Sequence, residues 1–215
     1  MSTQISASIL GADLANLQQE IARACDAGAN YIHFDVMDGV FVNNISFGIP
    51  VLASVRKITG LPLDVHLMIQ NPIRYIKEFA EAGADFITFH FESNSPVQLT
   101  IDAIHSYGKK AGLSIKPDTP LEPILPYLSY LDLVLIMTVE PGFGGQGFIR
   151  HTLDKVAALR AYTESNGLTL DIQVDGGINA DTAPFARGAG ANNLVSGSFL
   201  FGAPDIRAAV KALKD

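Results

Sequence analysis

Tyr31-Ile32-His33-Phe34-Asp35-Val36-Met37-Asp38-Gly39 is an apolar run with β-branched and aromatic residues that ends in Asp-Gly. It reads as a buried strand running into a turn. Side chains alternate across a strand, so His33, Asp35 and Met37 share one face and Ile32, Phe34 and Val36 share the other. The second face is wholly apolar and suits packing under helices. The first sets an imidazole and a carboxylate two residues apart, which are costly to bury unpaired. A divalent metal relieves that cost, and so does a His–Asp hydrogen bond in an ordinary core.

Outward from this stretch the chain alternates strand and helix. Strands are predicted at 4–10, 31–39, 63–68, 86–91, 112–116, 131–138, 169–175 and around 193–195. Helices are predicted at 13–26, 50–58, 71–82, 95–107, 149–165 and 204–213, with another capped by Asn179 or Asp181. A short helix at 121–130 is broken up by Pro123 and Pro126. Continuous apolar strands indicate a parallel sheet covered on both sides. Eight strand–helix units in a chain of 215 residues are the arithmetic of a (β/α)8 TIM barrel, an α/β fold, spanning 1–215 as a single domain. An internal echo supports this: Asp26-Ala27-Gly28-Ala29-Asn30, Glu81-Ala82-Gly83-Ala84-Asp85 and Arg187-Gly188-Ala189-Gly190-Ala191-Asn192 all fall at helix-to-strand junctions. The competing fold, an open doubly wound sheet, would more often carry a nucleotide loop after the first strand, and Ile9-Leu10-Gly11-Ala12-Asp13 lacks its glycine pattern.

Hydrophobic residues make up 48% of the chain and charged residues 17%, which argues against disorder. A net charge of −7 with no basic run disfavours nucleic acid and anionic membrane as partners. The single cysteine, Cys25, excludes an internal disulfide and fits a reducing compartment. The first residues do not resemble a signal peptide, and no apolar run approaches the ~20 residues of a membrane span. The expectation is a cytoplasmic, soluble protein.

In such barrels the active site lies at the carboxyl ends of the strands. Residues there include Ser8, His33, Asp35, Met37, Asp64, His66, Met68, His90, Glu92, Lys116, Met137, Thr138, Glu140, Asp175, Ser196, Gly197 and Ser198. His33, Asp35, His66 and Asp175 form a candidate metal set. Two imidazoles and two carboxylates suit one borderline divalent ion such as Zn, Fe, Mn or Co. A purely hydrogen-bonded polar cluster is the alternative, and His90 and Glu92 are candidates for supporting partners or a different ligand choice. Asp64 alone reads equally well as a turn residue.

Glycine-bearing loops follow three strands: Pro141-Gly142-Phe143-Gly144-Gly145-Gln146-Gly147, Asp175-Gly176-Gly177-Ile178 and Ser196-Gly197-Ser198. Glycine lets backbone N–H groups approach an anion, so an acidic chain can still grip a phosphate there. This makes the barrel one of the phosphate-binding type, and the 142–147 loop could serve as a mobile lid. A metal beside two carboxylates, with a phosphate grip nearby, points to proton chemistry on a sugar phosphate. The metal would stabilise an enediolate, while Asp35 and Asp175 face opposite sides of one carbon, and that geometry inverts a stereocentre.

His33-Phe34-Asp35-Val36-Met37-Asp38-Gly39, Asp64-Val65-His66-Leu67-Met68, Met137-Thr138-Val139-Glu140-Pro141-Gly142-Phe143-Gly144-Gly145-Gln146 and Val174-Asp175-Gly176-Gly177 together closely resemble the ribulose-phosphate 3-epimerase family, in order along the whole chain. The resemblance implies a (β/α)8 barrel interconverting ribulose 5-phosphate and xylulose 5-phosphate, a step of the pentose phosphate pathway. It implies that His33, Asp35, His66 and Asp175 hold the metal, with Asp35 and Asp175 as the acid–base pair. By the same likeness Ser8 and His66 contact substrate, and Met37, Met68 and Met137 lie over the reacting carbons. Gly142, Phe143, Gly144, Gly145, Gly176, Gly177, Gly197 and Ser198 match the phosphate-binding positions. It also implies a homo-oligomer. As core filler, the methionines would need no such role.

Two positions depart from the family pattern. Asn43 stands where proline is usual, and Lys116 stands where a neutral residue, often asparagine, is common. Lys116 keeps open a Schiff-base aldolase. The other competing readings are a 3-epimerase of a six-carbon ketose phosphate such as allulose 6-phosphate and a non-catalytic sugar-phosphate-binding barrel.

Overall fold

The structure, a computed structural model, describes residues 2–215. Eight strands form a closed parallel barrel in sequence order: β1 Gln4–Ser8, β2 Tyr31–Met37, β3 Leu63–Met68, β4 Phe86–His90, β5 Lys110–Ile115, β6 Leu133–Met137, β7 Asp171–Asp175 and β8 Asn193–Ser196, with β8 paired back to β1. The outer layer holds α1 Leu17–Asp26, α2 Ile49–Arg56, α3 Ile76–Glu81, α4 Val97–Ser106, α5 Thr152–Ser165, α6 Ala183–Gly188, the short α7 Ser198–Phe201 and α8 Ile206–Lys214. The apolar strand faces, with Ile32, Phe34 and Val36 among them, are buried between barrel and helices, as alternation requires.

Local chemistry explains where the elements differ from the sequence reading. The first strand stops at Ser8, not at residue 10, because Ile9–Gly11 turns into a 3-10 segment closed by Ala12 N–H donating to the Ile9 carbonyl at 3.1 Å. Asp13 caps a 3-10 turn, accepting from Ala15 N–H at 3.0 Å, before α1 begins. The connection from β5 to β6 is a 3-10 run over Glu122–Tyr130, since Pro126 lacks the N–H an α-helix needs there. Asn179 caps the segment before α6, accepting from Asp181 and Thr182 N–H. The four residues of α7 are an element the sequence reading lacked.

The Ala-Gly echo turns out to be a stitch at the amino ends of the strands. Asn30, Asp85, Asp132 and Asn192 each precede an even-numbered strand. Each donates its N–H to a carbonyl on the preceding odd strand: Ile5, Leu63, Ala111 and Ile172 in turn. Each side-chain oxygen then accepts the N–H of that same residue, at 2.9, 2.8, 2.9 and 2.7 Å. Two hydrogen bonds thus close a small ring at the foot of every odd–even strand pair and satisfy a backbone donor that would otherwise lack a ladder partner. Asp132 completes the fourfold set without the Ala-Gly context of the other three.

Candidate active site

The barrel interior is polar on the side of β1 to β4 and β7. The register places His33 opposite Asp64 and Asp35 opposite His66 across β2 and β3. His33, Asp35, Asp64, His66 and His90 are all buried, which demands partners for every polar atom. Asp64 supplies one set. Its Oδ2 accepts from His33 Nδ1 at 2.8 Å, from Gln173 Nε2 at 2.6 Å and from the Ser6 hydroxyl at 3.3 Å. Asp64 is therefore a barrel-interior residue, and the turn reading does not apply.

With Nδ1 committed to Asp64, His33 presents Nε2 upward, 3.2 Å from Asp35 Oδ1 and 3.9 Å from Asp175 Oδ2. That buried nitrogen has no hydrogen-bond partner among the described residues. His66 presents its other nitrogen: Nδ1 lies 3.1 Å from Asp35 Oδ1 and 3.9 Å from Asp175 Oδ2. One ligand atom from each of His33, Asp35, His66 and Asp175 falls within 4.8 Å of all the others. An orphaned imidazole nitrogen aimed at two carboxylates fits a divalent cation, and the donor set matches the chemistry of a borderline ion.

The electrostatics separate the two carboxylates. Burial opposes ionisation of Asp35, yet the His33 and His66 rings outweigh it and hold the carboxyl well below the usual range. Burial, reinforced by the Asp35 charge, pushes Asp175 up to about 6. His33 loses from burial and gains more from Asp35 and Asp64, so it is raised well above an ordinary histidine. Asp35 is also fixed mechanically. The Ser8 hydroxyl donates to its Oδ2 at 2.7 Å, and Ser46 Oγ donates to its carbonyl at 2.6 Å.

Above this cluster opens a cavity of about 330 Å³. Ser8, Asp35, Met37, Met68, Met137, Gly142, Phe143, Gly144, Gly145, Asp175, Gly176, Gly177, Gly197 and Ser198 line it. His33 and His66 lie fully buried beneath, at 0% exposure, and touch Asp35 directly without lining the cavity themselves. Sequence reasoning missed Gly11, Asn179 and Phe199, which also line the wall. Gly11 is required for close approach: a Cβ there would fall 2.5 Å from Ser198 N and 2.6 Å from Gly197 C. No local pattern in the sequence announces a contact between residues so far apart.

The loop after β6 stands over the cavity with Phe143 56% exposed. Gln146 Nε2 ties it internally to the Glu140 and Phe143 carbonyls, and Asn44 Nδ2 ties it to the β2 loop through the Gly142 carbonyl at 2.7 Å. Asn43 is exposed, and its neighbour Asn44 makes that tie. Lys116 is not among the cavity-lining residues. Its ammonium lies 4.3 Å from the Phe41 ring centre, and Phe41 in turn packs on His90.

The model of the ribulose-phosphate 3 epimerase family matches residues 4–201. A ribulose-phosphate 3-epimerase of Mycobacterium bovis is 49% identical over 211 residues, covering 98% of this chain and 91% of the relative. One from Bacillus subtilis is 46% identical, covering 98% of each. Among solved structures, 3-keto-L-gulonate-6-phosphate decarboxylase from Vibrio cholerae superposes with a TM-score of 0.74 at 15% identity, over 99% of this chain and 96% of that one. A 3-hexulose-6-phosphate synthase from Salmonella typhimurium gives 0.73 at 16%, over 100% and 97%. At such identities these two share the fold alone. The full-length match and the near-half identity are decisive: the chain belongs to the ribulose-phosphate 3-epimerase family.

Proposed function

We propose that this protein interconverts D-ribulose 5-phosphate and D-xylulose 5-phosphate by removing a proton from C3 on one face and returning one on the other. The observation that carries the reading is the pairing of Asp35 and Asp175 on the cavity floor, their carboxylates brought within 4.8 Å of each other and of the His33 and His66 rings, with the rings lowering Asp35 and burial raising Asp175. Two carboxylates whose environments pull their proton affinities apart are the arrangement an acid–base pair requires. They come from β2 and β7, so a substrate lying across the floor has one on each side.

The ionised Asp35 takes the C3 proton, and Asp175 delivers its own to the opposite face; in the reverse direction the roles exchange. Ser8 holds Asp35 in place through its hydroxyl. His33, Asp35, His66 and Asp175 would hold one divalent ion, of which Zn, Fe, Mn and Co suit the donors. Bound there, it supplies positive charge against the enediolate that forms between the two proton transfers. Met37, Met68 and Met137 give the cavity an apolar lining beside the two carboxylates, which keeps water from the carbanion. Backbone N–H groups around Gly142 to Gly145, Gly176, Gly177, Gly197 and Ser198 offer the sugar phosphate its anchor.

The test is proton NMR of ribulose 5-phosphate with the protein in D2O, before and after chelation. Xylulose 5-phosphate with deuterium at C3, lost on chelation and restored by a divalent ion, is the expected result. Absence of exchange in metal-loaded protein overturns the proposal, and faster turnover of allulose 6-phosphate would move it to the six-carbon reaction.

A further inference from the structure

His66 differs from His33 in which nitrogen it turns to the metal cluster. His33 shows Nε2, with Nδ1 tied to a carboxylate. His66 shows Nδ1, and its Nε2 meets another imidazole, Nε2 of His90, at 2.9 Å. A contact between two ring nitrogens works only if one carries hydrogen and the other does not. Something must therefore set the direction.

The direction is set at the outer end. Glu92 Oε1 accepts from the Lys116 backbone N–H at 2.8 Å and from the Thr119 hydroxyl. A backbone N–H can only donate, so this end of the chain has one polarity. Glu92 Oε2 lies 3.2 Å from His90 Nδ1. Burial opposes the Glu92 charge, but His90 and those two donors outweigh it and hold the carboxyl down to about 2. A carboxylate only accepts, so His90 keeps its hydrogen on Nδ1. A ring whose one hydrogen sits on Nδ1 is bare at Nε2, so His90 Nε2 accepts from His66 Nε2. The turn bearing the two donors is itself clamped from α5: Lys155 Nζ donates to the carbonyls of Lys116, Pro117 and Thr119, each at 2.8 Å.

We propose that the run Lys116 N–H and Thr119, Glu92, His90, His66 is a one-way hydrogen-bond chain that commits His66 Nε2 as a donor and so makes Nδ1 its metal-ligating nitrogen. His90 and Glu92 are positioning residues, acting on the ion through His66. This rests on the metal reading above.

Glu92→Gln tests the chain because it reverses it. The amide oxygen stays with Lys116 N–H, the amide nitrogen donates to His90 Nδ1, and His90 must then donate to His66. Thr119→Val removes one donor and leaves the polarity intact. Zn2+ affinity is measured by chelator competition, and the proton positions on His66 by long-range 1H–15N correlation in 15N-histidine protein. Expected are a His66 hydrogen on Nε2 in the Zn2+-loaded wild type, Zn2+ binding about 10- to 100-fold weaker in Glu92→Gln, and wild-type behaviour in Thr119→Val. Glu92→Gln that binds Zn2+ as tightly as wild type, with the His66 hydrogen unmoved, overturns the proposal. Should that variant fail to fold, a Zn2+-loaded wild-type His66 bare at Nε2 overturns it as well. Wild-type protein that takes up no ion while its His66 hydrogen sits on Nε2 overturns the metal reading instead.

Discussion

Asp64 and His33 stand directly opposite each other across β2 and β3, with Asp64 Oδ2 2.8 Å from His33 Nδ1. One fully buried carboxylate thus decides which nitrogen His33 offers to the cluster above it, and Gln173 and Ser6 hold that carboxylate from below. Asp64→Asn keeps an acceptor but removes the charge. Metal affinity, read by calorimetric titration of Zn2+, should fall by about tenfold or more. Affinity equal to wild type would show that Asp64 serves folding alone.

The two-base reading makes a sharper demand. Asp175→Asn leaves a side chain of the same size at the end of β7 but nothing to carry the proton. Epimerisation should drop by at least about 100-fold, with circular dichroism and thermal melting still showing a folded chain. Turnover remaining within roughly tenfold of wild type would remove Asp175 from the proton path.

Gly11 links the β1 end to the wall near Ser198. A methyl group there meets backbone atoms, which cannot move aside as a flexible side chain would. Gly11→Ala should raise KM for the sugar phosphate and weaken inhibition by inorganic phosphate, while kcat changes less. A variant with unchanged KM would separate this contact from phosphate binding.

The foot of the barrel carries a pH signature of its own. Burial, with the Asp171 and Asp64 charges added, pushes the Tyr31 phenol up to about 12. The unfolded chain ionises near 10 and the folded chain later, so the folded form binds the proton more tightly in between. The Tyr31 contribution is intact below pH 10 and is lost as the pH rises toward 12. Across that window the melting temperature of wild type should fall relative to that of Tyr31→Phe, compared with their difference at pH 8. A constant difference would contradict the shift.

Much of the site was legible because its signal lies within single strands. A period of two puts His33, Asp35 and Met37 on one face, and Asp64, His66 and Met68 on one face, whatever their neighbours. Asp64's partner was not legible, since strand register is a property of pairs. Gly11 escaped notice for the same reason: its constraint comes from Ser198, far along the chain. The four residues of α7 are too few to show helical periodicity. Asp132 was passed over because its stitch depends on a single side chain and not on the Ala-Gly setting of its three counterparts.

Those stitches have a bearing on how the barrel can be divided. Each joins an even strand to the odd strand before it, so none crosses from β2 to β3, from β4 to β5 or from β6 to β7. A break in the segment between β4 and β5 leaves all four rings whole; a break between β3 and β4 separates Asp85 from Leu63. Tolerance to chain cleavage should therefore alternate around the molecule. Two separately expressed fragments that meet after β4 should reassemble into active protein more readily than two that meet after β3. The natural unit of exchange, permutation or recombination in this barrel is the strand pair.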